Sequence, residues 1–522
     1  MIATRVSCVL FILYSIELMN SNPEQTKIAS TGIEGLDAVL KGGLPAGRFY
    51  LLEGAPGSGK TTVAIQFLKE GLSNGEKVLY VTLSETAEEL YSVGESHGWD
   101  LEAMPLFELA QADVALSFDR EQSILHPWEV ELSETIKLIT DKVEEIKPTR
   151  VVFDSLSEMR LLAQDSLRYR RQLLMLKQHF ASKKITVLLV DDMTGNAGER
   201  DVHLHSLCHG VITLERKTLE FGGATRRLQV QKLRGVDFIA GFHDFSIKKG
   251  GVIVYARLTA SNFHTPFVGE PVKSGIDELD KLLDGGMLKG TTTLITGPAG
   301  SGKTNIALQY VAEACKRGER AVIYEFDERI GTLLTRAKLL GFDLQQYIDA
   351  DQLHIRQMDP AEITPGEFTC IVKKEVEECD VKMIVVDSLA GYISSMPQEK
   401  QLLLQIHEIL SYLNQQGVVT LIINPQQSLV GTMSVTGLNV SYVADAVILL
   451  RFFEFEGRIR KAISIIKNRG GSHEDTIREL RIDSKGLRVG EVLNKFKGVL
   501  TGVPDFKGSS DQLLEPRSDE IQ

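Results

Sequence analysis

Short apolar runs alternate with longer amphipathic stretches along the chain, in two similar series. The first series has runs rich in β-branched, leucine and aromatic residues at 49–54, 77–83, 150–155 and 185–190. The second has them at 292–297, 320–326, 383–388 and 418–423. Such runs are typical of buried parallel strands, and 398–417, apolar at helical spacing and ending at Gly417, predicts a crossover helix. The pattern predicts α/β domains, each a mostly parallel sheet flanked by helices.

The two series belong to a duplicated sequence. "STGIEGLDAVLKGGLPAGRFYLLEGAPGSGKTT" at 30–62 aligns without a gap with 273–305, at a constant offset of 243. Further on, "RVVFDSLSEM" (150–159) matches "MIVVDSLAGY" (383–392), and "LQVQKLRG" (228–235) matches "ISIIKNRG" (463–470). Similarity of this length, kept in chain order, indicates two related domains.

Composition changes mark the predicted domain boundaries. The stretch "ARLTASNFHTPFV" carries polar residues and Pro266 between the two copies, and the C-terminal end is rich in Gly, Ser, Asp and Glu. We therefore predict an N-terminal extension (1–22), a first domain (23–255), a linker (256–268), a second domain (269–497) and a mobile tail (498–522).

Charge and cysteine content narrow the class of protein. The 522 residues include 58 Lys and Arg against 70 Asp and Glu, a formal net charge of −12, which disfavours nucleic acid as a partner. The five cysteines are scattered and lack metal-ligand spacing, so we expect reduced thiols, no zinc and a cytoplasmic location. The apolar run after Arg5 resembles a secretory signal but is too short to span a bilayer, and we interpret it as an extension.

The motif G-x-x-x-x-G-K-[ST] occurs twice, as "GAPGSGKTT" (54–62) and "GPAGSGKTN" (297–305). Its glycines let backbone amides surround phosphate oxygens, its lysine reaches the terminal phosphates, and the following helix contributes its N-terminus. Each copy follows a predicted strand and precedes a predicted helix, the context that favours a nucleotide site over a glycine-rich turn. We predict that ATP is bound by Gly57, Ser58, Gly59, Lys60, Thr61, Thr62, Gly300, Ser301, Gly302, Lys303, Thr304 and Asn305.

Two aspartates end buried strands in matching places. Asp154 and Asp387 close apolar runs, so each carboxylate is expected at the sheet edge where α/β proteins bind ligands. There it can hold Mg²⁺ together with the hydroxyl of Thr61 or Thr304, or it can instead cap the next turn.

Other polar residues in the repeats suggest catalysis. "LSET" (83–86) and "FDER" (326–329) follow the second strand of each half and offer Glu85, Asp327 and Glu328 to orient or deprotonate an attacking oxygen. "KLRG" (232–235) and "KNRG" (467–470) place a lysine and an arginine two residues apart on one strand face. Such a pair can clamp a γ-phosphate, including that of a neighbouring subunit, or can be a pair of surface charges.

These motifs together resemble the KaiC family of circadian clock ATPases and autokinases. The resemblance covers about Ile28 to Phe496 and rests on "TGIEGLD", the phosphate loop, the strand-ending "DS" and "K-x-R-G". It implies tandem RecA-like P-loop NTPase domains, stacked hexameric rings of identical chains, ATP and Mg²⁺ as cofactors, and ATP bound between subunits. It also assigns nucleotide contacts to Ser96, Lys232, Leu233, Arg234, Lys467, Asn468 and Arg469.

The sequence departs from the family pattern at the predicted general base. KaiC proteins carry adjacent glutamates after the second strand of each half, the first of which is treated as the base. Here those positions read Ser84–Glu85 and Asp327–Glu328. A general base contributes about 10²–10⁴ in rate. We therefore expect slow hydrolysis in the first domain unless Glu85 substitutes, and altered geometry at Asp327.

A second departure concerns the residues that accept phosphate. The resemblance implies self-phosphorylation of an adjacent Ser-Thr pair in the second half, but in "SVTGLNVSYVADAVILL" (434–450) Ser441 is followed by Tyr442. Ser441 is the predicted acceptor and Thr436 is the alternative. A phosphate there adds about −1.5 to −2 charge beside the interface cations.

Three hypotheses follow. The first is a KaiC-like hexameric ATPase with serine/threonine autokinase activity, signalling through its phosphorylation or nucleotide state to a KaiB-like or other partner. The second is a RecA-type DNA-dependent ATPase, which the sequence pI of about 5.5 disfavours. The third is an ATP-gated scaffold with little turnover, which Ser84 favours.

Overall fold

The computed structural model describes most of the two repeats. It covers residues 27–109, 127–163, 165–193, 202–218, 223–259, 269–359, 361–394, 399–426, 442–455, 457–483, 486–499 and 505–506. The chain divides into two compact units between Arg257 and Leu258. The predicted extension (1–22) lies outside the described residues, as do most of the predicted linker and tail.

The first unit alternates strands and helices in the predicted way. Its strands are β1 Ile28–Ala29, β2 Leu44–Pro45, β3 Phe49–Gly54, β4 Val78–Thr82, β5 Leu106–Glu108, β6 Arg150–Asp154, β7 Thr186–Asp192, β8 Gly210–Lys217, β9 Thr225–Leu233, β10 Phe242–Lys248 and β11 Gly251–Tyr255. Its helices are α1 Glu34–Val39, α2 Lys60–Ser73, α3 Ala87–His97, α4 Pro127–Ile146, α5 Leu156–Ala163, α6 Ser166–Ser182 and α7 Val202–Leu207.

The second unit repeats this order. Its strands are β12 Pro271–Val272, β13 Met287–Leu288, β14 Thr292–Gly297, β15 Arg320–Glu325, β16 Leu353–Gln357, β17 Val381–Asp387, β18 Val419–Pro425, β19 Ala446–Phe455, β20 Arg458–Asn468, β21 Arg478–Asp483, β22 Gly486–Val492, β23 Phe496–Lys497 and β24 Asp505–Phe506. Its helices are α8 Asp277–Leu282, α9 Lys303–Lys316, α10 Ile330–Leu339, α11 Gln345–Asp349, α12 Pro365–Cys379, α13 Leu389–Ser394 and α14 Glu399–Gln415. All eight strands predicted from apolar runs are present, and the predicted crossover helix is α14.

Each unit contains a nine-stranded sheet with the same connectivity. The orders are β11-β10-β9-β8-β3-β7-β6-β4-β5 and, read in the opposite direction, β16-β15-β17-β18-β14-β19-β20-β21-β22. From β8 to β5, and from β16 to β19, neighbouring strands are parallel, and the remaining three strands of each sheet are antiparallel. The predicted fold class, two tandem RecA-like α/β domains with mostly parallel sheets, is confirmed.

Helices on both faces of the first sheet explain the uninterrupted apolar runs. Along β3, Tyr50 and Leu52 pack with the buried face of α2, whereas Phe49 and Leu51 pack with that of α6. Successive strand residues point to opposite faces, so a strand covered on both sides has no polar face. The second sheet divides its core in the same way, with Ile295 on one face and Leu294 on the other. Among the described helices, none is both long and apolar enough to cross a membrane.

The sheet order positions the functional residues. In the first unit β3, β7, β6 and β4 are parallel neighbours, so their carboxyl ends lie along one edge. In the second unit β14, β18, β17 and β15 do the same. The carboxyl edge of a parallel sheet is where α/β proteins bind ligands.

Candidate nucleotide-binding sites

The first phosphate loop joins β3 to α2 in a conformation that requires glycine. Gly57 and Gly59 have φ values of 73° and 108°, in the left-handed region. A Cβ on Gly59 would lie 2.6 Å from Ile247 Cδ1. Lys60 begins the helix, is 7% exposed, and donates to the carbonyl oxygens of Gly54 (3.0 Å) and Ala55 (3.1 Å). The loop thus folds over the lysine that would meet a phosphate.

The second loop repeats this arrangement between β14 and α9. Gly300 and Gly302 have φ values of 76° and 106°, and Lys303 is again 7% exposed. Its ammonium donates to the carbonyl oxygens of Gly297 (3.0 Å) and Pro298 (2.8 Å). In both loops the serine between the glycines is fully buried, and its hydroxyl has no hydrogen-bond partner among the described residues.

Two buried aspartates face the threonines of the loops. Thr304 Oγ1 donates to Asp387 Oδ2 at 2.7 Å, and the Thr61 hydroxyl bonds Asp154. Tyr80 also donates to Asp154 Oδ2, at 2.6 Å. Burial raises the pKa of both aspartates, and these hydrogen bonds partly oppose the rise. Carboxylate and hydroxyl oxygens are the ligands that hard divalent cations prefer, so each pair fits a magnesium ion.

The acidic residues that follow β4 in the first unit and β15 in the second differ in burial and in hydrogen-bond partners. Glu85 is half-buried beside Thr61, and burial, followed by the charge of Asp154, raises its pKa to about 7. Its Oε2 is buried without a hydrogen-bond partner among the described residues. In the second unit, Asp327 accepts a hydrogen bond from Ser388 Oγ, and Glu328 forms an ion pair with Arg336 at 2.8 Å.

Two further acids at these edges were not predicted from the sequence. Asp192, at the end of β7, forms an ion pair with Lys60 at 2.7 Å, and the matching position of the second sheet is Pro425. Glu325, at the end of β15, is 1% exposed, and burial, followed by the charge of Asp387, raises its pKa to about 8. Both end apolar runs, as Asp154 does, and that feature could have identified them.

The K-x-R-G residues lie far from the phosphate loop of their own domain. Leu233 pairs with Gly210, which pairs with Tyr50 near the start of β3, whereas the phosphate loop follows the end of β3. Lys232 donates to the His205 carbonyl oxygen at 2.6 Å, and Arg234 follows the strand end.

The second domain shows the same placement. Lys467 pairs with Val447 near the start of β19, and its ammonium donates to the Ala444 carbonyl oxygen at 2.5 Å. Arg469 follows the last residue of β20 and donates its backbone N–H to the Asp445 carbonyl oxygen at 2.8 Å. The structure therefore does not bring either cation pair to the nucleotide site of its own domain.

Comparison with known proteins agrees with this geometry. A family model described as the KaiC ATPase matches residues 29–259 and again 272–494. The chain belongs to the KaiC family. The circadian clock protein KaiC3 of Synechocystis sp. is 28% identical over 486 residues, covering 92% of this chain and 95% of the relative. The circadian clock oscillator protein KaiC of Synechococcus elongatus is 28% identical over 496 residues, covering 93% of each.

Some residues of this KaiC-family chain that were predicted to contact nucleotide or accept phosphate are not placed at the phosphate loops by the structure. Ser96 is exposed near the end of α3, and its hydroxyl donates to the Val93 carbonyl oxygen at 2.7 Å. The predicted phosphoacceptors, Ser441 and Thr436, lie outside the described residues. Their roles, like those of the other predicted site residues, remain predictions.

Proposed function

We propose that this KaiC-family protein binds and hydrolyses ATP in both domains, works as a homohexamer, and phosphorylates itself in the second domain. Its phosphorylation or nucleotide state would then signal to a KaiB-like or other partner protein. The observation that carries the proposal is the repeated combination of a left-handed glycine loop, a buried lysine and a threonine–aspartate oxygen pair.

In each domain, different residues would bind the phosphates of ATP and the magnesium ion. The loop amides and Lys60 or Lys303 hold the phosphates. Lys303 exchanges its carbonyl partners for phosphate oxygens, and Lys60 exchanges its carbonyl partners and its ion pair with Asp192. Thr61 with Asp154, and Thr304 with Asp387, would hold Mg²⁺, which when bound neutralises charge on the β- and γ-phosphates.

The acids after the second strand would orient the attacking oxygen. In the first domain Glu85 is the acid beside Thr61, and its raised pKa leaves it partly protonated near neutral pH. In the second domain Asp327 is held next to Asp387 by Ser388, where it could accept a proton from water or from an acceptor hydroxyl. The first domain is therefore proposed to turn over more slowly.

The position of the K-x-R-G residues in each domain supports assembly of identical subunits into a ring. Their cations lie at the sheet edge opposite the phosphate loop of the same domain, so we assign them to a nucleotide bound by a neighbouring copy. Contacts between unlike faces of identical subunits form rings when the rotation between subunits closes, and open filaments when it does not. In such a ring Lys467 and Arg469 would stabilise transition-state charge on the neighbour's nucleotide.

Nucleotide binding is tested by calorimetry on the full chain with Lys60→Ala, Lys303→Ala and both substitutions. We expect each single variant to lose one class of ATP site and the double variant to lose both. Native mass measurement with and without ATP should show hexamers in the wild type. Monomers at all ATP concentrations, or unchanged ATP uptake by the double variant, would contradict the proposal.

Catalysis across the interface is tested by mixing two inactive variants in a Lys60→Ala background. Lys303→Ala removes the phosphate lysine and Arg469→Ala removes the opposite cation, so each alone should be inactive in the second domain. Mixed rings contain interfaces that combine an intact loop with an intact arginine, and we expect activity to reappear on mixing. Absence of recovery, with mixed hexamers shown by mass, would exclude the role of Arg469.

Autophosphorylation is tested with γ-labelled ATP and site mapping. We expect label at Ser441 or Thr436 and its loss in the Ser441→Ala, Thr436→Ala double variant, with ATP binding retained. Hexamers that form with ATP but incorporate no label would instead identify an ATP-gated scaffold. That outcome is favoured for the first domain by Ser84 and by the ion pair that Lys60 makes with Asp192. DNA-stimulated hydrolysis would identify a DNA motor.

A further inference from the structure

Glu325, in the second domain, has a different residue type as its counterpart in the first domain. It ends β15 directly beside Asp387, its partner on the parallel neighbour β17. In the first domain, Thr82 occupies the same place beside Asp154. Paired residues on adjacent strands point to the same sheet face with backbones about 4.8 Å apart. The second domain therefore has two acids at a position where the first has one.

The turn that follows β15 accounts for only one of the two carboxylate oxygens of Glu325. Thr82 Oγ1 accepts a hydrogen bond from the Glu85 backbone N–H (3.0 Å) and donates to its carbonyl oxygen (2.8 Å), so its single oxygen is used. Glu325 Oε1 accepts from the Glu328 backbone N–H at 3.0 Å and performs the same capping role, and the Asp327 backbone N–H also bonds the Glu325 carboxyl group. Its Oε2 is buried and has no hydrogen-bond partner among the described residues.

The second oxygen lies in a negatively charged environment. Asp387 and Glu328 are the charges that act on Glu325, and no described residue forms an ion pair with it. Glu328 is itself paired with Arg336. A buried carboxylate beside another is costly unless it takes up a proton, as the raised pKa of Glu325 indicates for the cation-free protein, or a cation neutralises the pair. Since a threonine suffices for the turn in the first domain, the additional carboxyl points to a ligand.

We propose that Glu325 is a cation-site residue, which with Asp387 and Thr304 lets the second domain bind a hard divalent cation before nucleotide arrives. Glu325 Oε2, the Asp387 carboxylate and the Thr304 hydroxyl supply the oxygen ligands that such cations take. The first domain, with Thr82 in place of the second acid, binds the cation only together with nucleotide. This inference rests on the proposed Mg²⁺–ATP function and adds to it a difference between the domains.

The test measures Mn²⁺ binding to the nucleotide-free full chain, by electron paramagnetic resonance of the free ion and by calorimetry. The wild type should show one class of site that Asp387→Asn removes. Glu325→Gln and Glu325→Thr should each weaken that site by about tenfold or more, the effect of losing a metal-site carboxyl. Glu325→Thr installs the residue of the first domain and keeps a turn cap, so a folding defect is not expected. The exposed Glu362→Gln is the matched control and should bind Mn²⁺ as the wild type does.

Unchanged Mn²⁺ affinity in both Glu325 variants would overturn the inference. Thermal unfolding in EDTA checks that each variant is folded, and ATP binding in Mg²⁺ checks the proposed function separately. If the wild type binds ATP and the Glu325 variants keep the Mn²⁺ site, only the present inference fails. If the wild type binds no ATP while the Mn²⁺ site still depends on Glu325, the proposed function fails and the cation site stands.

Discussion

Lys60 Nζ lies 2.7 Å from Asp192 Oδ1, so in the first domain the phosphate-binding lysine is ion-paired with an acid from a neighbouring strand. Lys60 is 7% and Asp192 31% exposed. In the second domain Pro425 takes the place of Asp192, and Lys303 has only carbonyl partners among the described residues. A triphosphate entering the first loop must therefore displace a carboxylate.

We predict that Asp192→Asn tightens ATP binding by the first domain. Removal of the competing carboxylate should be worth up to about 1 kcal/mol, the range of a partly exposed ion pair, or roughly fivefold in affinity. Calorimetry in a Lys303→Ala background measures this site alone. Asp237→Asn, which removes an exposed ion pair with Lys41, is the control. Equal or weaker ATP binding by Asp192→Asn would show that the pair does not compete with nucleotide.

The raised pKa of Glu85 predicts a pH dependence of the first domain. A general base must be deprotonated, so in a Lys303→Ala background ATP hydrolysis should rise as pH increases through about 7. Glu85→Gln should lower the rate by about 10²–10⁴ and remove this rise. Initial rates between pH 5.5 and 8.5 measure both effects, and a Glu85→Gln variant that keeps the wild-type profile would assign the base elsewhere.

The same raised pKa has a consequence for stability. The folded protein binds the Glu85 proton more tightly than the unfolded chain, whose glutamate has a pKa of about 4.3. Stability contributed at this site therefore falls as pH rises from about 4.3 towards 7. Glu85→Gln does not titrate, so its free energy of unfolding should increase relative to the wild type across that interval. Denaturant unfolding at several pH values measures the difference.

The helix-starting glycine of the second loop is required by both conformation and space. Gly302 has a φ of 106°, and a Cβ there would overlap Ile482 Cδ1. We predict that Gly302→Ala destabilises the second domain by about 1–3 kcal/mol, the cost of a strained backbone position. Gly318 has a φ of 82°, but a Cβ there would have open space around it. Gly318→Ala should therefore lower the stability measured by thermal unfolding by less than Gly302→Ala does. Ile482→Val should recover part of the loss, and no recovery would show that the overlap is relieved elsewhere.

His354 predicts a second pH dependence of stability, with the same sign as that of Glu85. Its ring nitrogens lie 2.9 Å from Asp351 Oδ1 and 2.9 Å from Glu375 Oε2, and the hydrogen bond to Asp351, followed by that to Glu375, raises its pKa. Arg356 faces the same Glu375 carboxylate, and the Cys379 thiol lies beside it. The contribution of His354 is therefore present below the unfolded pKa of about 6.5 and is lost as pH rises through the raised value.

We expect His354→Gln to lower the free energy of unfolding more at pH 6 than at pH 8.5. His407→Gln, at an exposed position of α14, is the matched control and should show no such dependence. Denaturant unfolding at both pH values is the measurement. A destabilisation that is equal at the two values would mean that His354 contributes packing and no charge.

Much of the fold could be predicted because its signals are local. Apolar runs of strand length mark β3, β4, β6 and β7 and their counterparts, since strands buried on both faces have no polar side. The three antiparallel strands at the end of each sheet were not predicted as a group, because their alternating pattern is weaker. The sequence also placed Lys232 and Arg234 together, but not at the edge opposite the phosphate loop.

By itself the sequence determined the duplication, the two phosphate loops and the aspartates that end buried strands, because each depends on residues close together in the chain. Only the tertiary structure decided that Asp192 meets Lys60, from a strand more than a hundred residues away, and that Glu325 lies beside Asp387. Those relationships depend on strand order and register, which are fixed by packing both sheet faces against helices and not by any local pattern.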